Sequence, residues 1–255
     1  MLPLRDENPT SRLAIVTLAL IVINLGVYFG LQFPKSARGQ TDFDYRWGAI
    51  PCELRTGKPA VAVPEGTSPA ASACTVTAGG ISAPQVAFPG KNVWLALVVS
   101  MFLHGSAFHV LTNMLFLWIF GNNVEDQLGR AGFLAFYLVG GIVAAFVHVV
   151  GNLGSSAPFL GASGAIAVVM GAYLVWFPRA RVVTLVIFVV IPWIFRFPAA
   201  LVLGVWFLLQ FVIPSSTNIA TLAHIGGFVF GALVAFVLAR VAAFPRVRVP
   251  RVPGY

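Results

Sequence analysis

Charge is absent from long stretches of this sequence. Residues 13–33, 131–178, 197–213 and 222–239 contain no Lys, Arg, Asp or Glu. Only 9% of the 255 residues are charged and 58% are hydrophobic, whereas soluble domains carry about 25% charged residues. An ordinary water-soluble enzyme is thereby excluded. One bilayer crossing needs about 20 apolar residues, and the chain supplies enough for roughly six crossings and one sizeable polar loop. The net charge of +8 would suggest nucleic acid in a soluble protein. Here the basic residues lie between and beyond the apolar runs, where they act as topology signals.

The runs divide the chain as follows. Residues 1–12 form a short N-terminus, 13–33 a first transmembrane helix, and 34–92 a polar segment with ten charges. Residues 93–243 form a core with five further helices, and 244–255 a basic tail. Within the core, the second helix is expected to begin near Ser106 and end at Glu125, Asp126 and Arg130. The turn-forming stretch 151–158 splits the run 131–178 into two helices. Residues 182–195 are apolar but short, and read as a membrane-associated loop or short element. The last two helices, 197–213 and 222–239, are separated by Pro214-Ser215-Ser216-Thr217-Asn218.

Six crossings put both termini on one side, together with ten of the basic residues, among them Arg5, Arg12, Arg130, Arg179, Arg181 and Arg196. By the positive-inside rule that side is cytoplasmic, in a cell membrane, and the 34–92 loop is extracytoplasmic. There a Cys52–Cys74 disulfide is chemically permitted, and two free thiols are equally compatible with the sequence. No Cys-x-x-Cys spacing is present, so neither metal nor cofactor is expected.

Polar groups at membrane depth are costly and each is a functional hypothesis. All four histidines, His104, His109, His148 and His224, lie in or beside apolar runs, and no Asp or Glu falls within the expected helices. That disfavours a carboxylate proton relay or a cation carrier. His109 and Asn113 share one helix face by their spacing of four. Hydrogen bonds between helices, worth about 0.6 kcal/mol each, would explain any one of these side chains alone, and His148 is assigned to packing or a loop hydrogen bond. Gly161-Ala162-Ser163-Gly164 opens the fourth helix. Small residues there serve close packing, but they also expose a serine hydroxyl beside helix-start N–H groups that attract anions. Gly227 and Gly231 form a small-xxx-small face on the last helix. If that face meets the fourth helix, His224 can reach Ser163 as its general base.

These residues resemble a known family. "HGSAFHVLTN" (104–113), "GNNVEDQLG" (121–129), "GASGAI" (161–166), "FPRARV" (177–182) and "AHIGGFVFG" (223–231) are similar, in this order, to motifs of the rhomboid intramembrane serine proteases. The resemblance covers roughly 93–243 plus a first helix. It implies an all-α membrane protein, a six-transmembrane-helix rhomboid-like bundle with a long extracytoplasmic loop after the first helix. It further implies a Ser163–His224 dyad without a third carboxylate, with His109, Asn113 and the Ser163 backbone N–H around the oxyanion. His104, Gly161, Gly164 and Gly227 match structural positions near the site, and Gly121, Glu125 and Gly129 match a turn used for packing and capping.

The implied activity is cleavage of membrane proteins at helix-destabilised transmembrane segments, with the lipid bilayer as the other partner and no nucleic acid. Two departures stand out. Trp94 is followed by Leu95 and Ala96 where the family often has an arginine. Ala167 stands four residues after the nucleophile, where the family usually has an aromatic that the histidine rests on. Alternatives are a catalytically silent rhomboid-like protein that binds transmembrane clients, a b-type cytochrome using His109 and His224 as axial ligands, and a transporter.

Overall fold

The structure is a computed structural model that describes residues 2–33, 36–66, 74–77, 82–188, 191–212 and 220–241. The break at 214–218 and the tail 244–255 lie outside the described residues.

The apolar runs become helices. Helix α1 spans Ile15–Val27 and continues as a π-helical turn over Tyr28–Gln32. Helices α2 (Ala37–Trp47) and α3 (Pro51–Thr56) follow in the polar segment. Helix α4 (Val93–Val99) ends in a tight turn at Ser100–Phe102, and α5 runs from Ala107 to Gly151, with the Ser106 hydroxyl accepting the His109 N–H at its start. Helix α6 spans Ser163–Trp176, α7 Ala199–Leu209 and α8 Thr221–Arg240. Length and composition make Ile15–Gln32, Ala107–Gly151 and Thr221–Arg240 long enough to cross a membrane, while α4 with its turn, α6 and α7 are shorter apolar helices. The chain is a helical, multi-pass membrane protein.

Helix α5 is two helices in sequence. Gly129 has φ 71° and ψ 164° inside it, a backbone conformation that other residues adopt only at a steric cost. The break turns the chain back, and each arm of about 22 residues is about 33 Å long, enough for the hydrocarbon core. Glu125, just before the break, is buried and accepts from the N–H groups of Val16 and Thr17 and from the Thr17 hydroxyl. These N–H groups belong to the first turn of α1, so a carboxylate from another helix caps it and meets its positive dipole end.

The fold is not all helical, which corrects the all-α expectation. Of the loop or short element expected over 182–195, the described residues form short elements, the antiparallel strands β5 (Arg181–Phe188) and β6 (Ile191–Pro198), and β1 (Leu2–Asp6) pairs antiparallel with β5 in a three-stranded sheet of order β1-β5-β6. The two strands that contain proline, β1 and β6, are the edges, as the missing N–H requires. The proline-free 182–187, β-branched at every position but Leu185, lies in the centre. The sheet is tied to the bundle by Asp6, whose carboxylate accepts from Tyr173 Oη (2.7 Å) and Asn123 Nδ2 (2.6 Å). Burial pushes the Asp6 carboxyl up to about 6 against the opposing effect of these hydrogen bonds.

The polar segment also contains a sheet of β2 (Val61–Val63), β3 (Thr75–Thr77) and β4 (Gln85–Val86), in the order β3-β2-β4. Cys52 and Cys74 are joined in a disulfide, which closes the question the sequence left open. Lys91 Nζ lies 2.6 Å from Glu53 Oε2 with both side chains buried, and also donates to the carbonyls of Tyr45 and Gly48. Burial holds the Lys91 ammonium below its ordinary range, with Glu53 opposing the shift. This polar unit docks on the loop before α6: Cys52 N–H donates to Ser155 O, and Phe159 N–H to Ala49 O.

Candidate active site

Helix α6 is buried along most of its length, and α8 presses directly against it. A β-carbon on Gly227 would collide with the Gly164 carbonyl oxygen, and one on Gly171 with that of Phe228. Glycine at these positions permits backbone-to-backbone approach, the usual device where helices pack in lipid. It also brings the N-terminal ends of the two helices together: His224 Nε2 lies 2.7 Å from Ser163 Oγ.

Ser163 is the first residue of α6. The first acceptor of the helix, the Ala162 carbonyl, receives the Ile166 N–H, so the N–H groups of 163–165 precede the hydrogen-bonded ladder and mark its positive end. The preceding loop is held by Gly161 N–H donating to Ser100 O at 2.9 Å. Gly161 has φ 133°, and a β-carbon there would lie 3.0 Å from His109 Cε1. Bulk at 161 is therefore excluded twice, by backbone conformation and by the His109 ring.

Ser163, His224, His109 and Asn113 all line one cavity of about 590 Å³, with Phe116 and Trp206 among its other walls. Asn113 is 7% exposed and its Nδ2 has no hydrogen-bond partner. A buried amide donor without a partner costs free energy, and here it faces a cavity in which a ligand oxygen could accept from it. His104 is fully buried, its ring edge-on to His109 with centroids 5.2 Å apart. The Gln32 amide brackets its backbone, donating to His104 O and accepting from His104 N–H. His148 lies away from the cavity, its ring 4.7 Å from that of Phe159.

All four expected chemical residues thus share one cavity. An aromatic ring does lie beside His224, but it comes from another helix. Trp206, on α7, lies 5.7 Å from the His224 ring, while Ala167 fills the tight contact under Gly227. One partner of His224 was not among the expected residues: Gln210 Oε1 lies 2.8 Å from His224 Nδ1. A signal for it was present: Gln210 is the one amide in the apolar run 197–213, and a polar side chain at that depth needs a reason.

Fold and site together define a multi-pass helical membrane protein with a serine–histidine pair at the mouth of a helix bundle. The family model described as the rhomboid domain matches residues 91–241, and the chain belongs to the rhomboid family. The human mitochondrial presenilin-associated rhomboid-like protein is 40% identical over 87 residues, 33% of this chain and 23% of its own length. Rhomboid protein 1 of Saccharomyces cerevisiae, also mitochondrial, is 31% identical over 96 residues, 36% of this chain and 28% of its own. Rhomboid protease GlpG of Yersinia pestis is 28% identical over 137 residues, 53% of this chain and 45% of its own. The matched segments span less than half the length of each relative.

Proposed function

We propose that this protein is an intramembrane serine endopeptidase that uses Ser163 as nucleophile and His224 as general base. The observation that carries the reading is the 2.7 Å contact between Ser163 Oγ and His224 Nε2 inside the cavity. His224 removes the hydroxyl proton as Oγ attacks a peptide carbonyl. It then returns the proton to the leaving amine, and water hydrolyses the acyl-enzyme. The Ser163 N–H, Asn113 Nδ2 and His109 surround the space where the oxyanion develops. Both ring nitrogens of His224 are engaged by protein side chains, which favours the dyad over axial ligation of a haem.

The substrates on this reading are membrane proteins whose transmembrane segments unwind easily near the cut, because an intact helix hides its carbonyls. We count six spans by dividing α5 at Gly129 and taking the shorter α6 and α7 as crossings. The basic bias keeps both termini cytoplasmic. The Cys52–Cys74 bond suits an outer segment in an oxidising compartment, and we read the bilayer as a cell membrane, although two of the relatives are named mitochondrial.

The test is cleavage of a reporter transmembrane substrate in liposomes, with fluorophosphonate labelling of wild type, Ser163→Ala and His224→Ala. Cleavage and labelling present in wild type and lost in both folded variants is the expected result. Cleavage that survives Ser163→Ala, or a wild type that never labels, would overturn the protease reading in favour of a silent, client-binding relative.

A further inference from the structure

We propose that Gln210 is a positioning residue of this site, holding His224 in the tautomer that can accept the Ser163 proton. The inference rests on the dyad reading above. A carboxamide oxygen only accepts hydrogen bonds. With Gln210 Oε1 2.8 Å from His224 Nδ1, the imidazole hydrogen is on Nδ1, and the lone pair of Nε2 faces Ser163 Oγ. The other tautomer would set two lone pairs against each other at Nδ1 and point an N–H at the hydroxyl it should deprotonate. The nitrogen that carries the proton is decided by the partner of the other one.

The orientation of the amide is decided by its second bond. Gln210 Nε2 donates to the Trp206 carbonyl oxygen at 2.9 Å, and a flipped amide would place two acceptors against each other there. A glutamine at a helix C-terminus can make that bond as a simple cap, but capping gives no reason for Oε1 to end on a buried imidazole. Gln210 is 5% exposed, while its neighbours Leu208, Leu209, Phe211 and Val212 are all exposed. Of this stretch of α7 and its end, the amide is the residue turned inward.

The choice of an amide over a carboxylate also has a physical reason. An acid here would be a buried charge at membrane depth, costly unless paired. A neutral oxygen fixes the tautomer and remains as a charge-assisted acceptor when His224 becomes an imidazolium. It supplies orientation without adding a carboxylate to the helices.

The full chain, wild type and the variants Gln210→Leu, Gln210→Glu and Ser163→Ala, would be compared in liposomes for kcat and KM on the reporter substrate. Nitrogen-15 spectra of histidine-labelled protein, with His224→Ala to assign the signal, read the tautomer directly. Gln210→Leu is expected to lower kcat about 10-fold with KM unchanged. The His224 signal should move from a single Nδ1–H form to a tautomer mixture. Gln210→Glu keeps an acceptor for Nδ1 but loses the donor to the Trp206 carbonyl oxygen, so it should recover kcat only in part. Wild-type kcat in Gln210→Leu, or a wild-type His224 protonated on Nε2, would overturn the proposal. The wild-type spectrum decides even where the leucine variant does not fold. A wild type that neither cleaves nor labels defeats the dyad reading separately, because the spectrum needs no turnover.

Discussion

The carbonyl oxygen of Val168 occupies the space that a β-carbon on Gly231 would need. This contact, two turns below His224, is one of those that set the distance between α6 and α8. Gly231→Val forces the two backbones apart, an overpacking that costs on the order of 2–3 kcal/mol. Since the helices move as rigid rods, His224 withdraws from Ser163. Fluorophosphonate labelling of the variant should slow more than about 10-fold while the protein still inserts. Labelling at the wild-type rate would mean that the dyad does not depend on this contact.

Asn113 provides a way to separate binding from chemistry. Its Nδ2 is buried and unpartnered, so its hydrogen bond forms only with something in the cavity. If that is the oxyanion, Asn113→Ala lowers kcat by about 10²-fold with little change in KM. A change confined to KM would assign Asn113 to substrate binding instead.

Lys91 and Glu53 form a buried pair in the unit folded from the polar segment. Removing one partner leaves the other as an uncompensated buried charge, so Lys91→Met should destabilise this unit by about 3–5 kcal/mol. Glu53 would also lose its role unevenly, because its Oε1 still accepts the Ala60 N–H. The double variant Lys91→Met, Glu53→Leu should recover part of the loss. Hydrogen exchange over 36–66 reads the effect, and unchanged protection in Lys91→Met would contradict it.

Asp6 makes the attachment of the β1-β5-β6 sheet pH-dependent. Its carboxyl is raised by burial to about 6 in the folded protein, above its unfolded value, so the folded state binds the proton more tightly. The stability it contributes is full below the unfolded value and is lost as pH rises through about 6. Protection of β1 against exchange should therefore be greater at about pH 5 than at about pH 7.5, by on the order of 1 kcal/mol after solvent screening. Asp6→Asn should abolish that difference, and a pH dependence that persists in the variant would assign it to another group.

Much of this molecule is legible locally. Charge-free runs decide which segments leave water, because each must bury about 20 apolar residues or expose its backbone to lipid. The small residues at 161, 164, 227 and 231 mark where helices can touch, and a serine and histidines in or beside apolar runs stand out because such groups are costly in lipid. The sheet of β1 with the 181–198 hairpin was not legible. Residues 2–6 have no strand periodicity of their own, and 182–195 is equally apolar whether read as a strand or as a membrane loop.

Tertiary structure alone decided which polar groups meet. Asp6 and Tyr173 are 167 residues apart, Ser163 and His224 are 61 apart, and Gln210 and His224 are 14 apart across a change of helix. Sequence names the candidates for such pairs, because composition and spacing are local properties. It does not supply the rotation of each helix about its axis or the depth at which it crosses its neighbour. Those quantities bring Trp206 to the place left empty by Ala167, and turn the amide of Gln210 toward His224 rather than toward lipid.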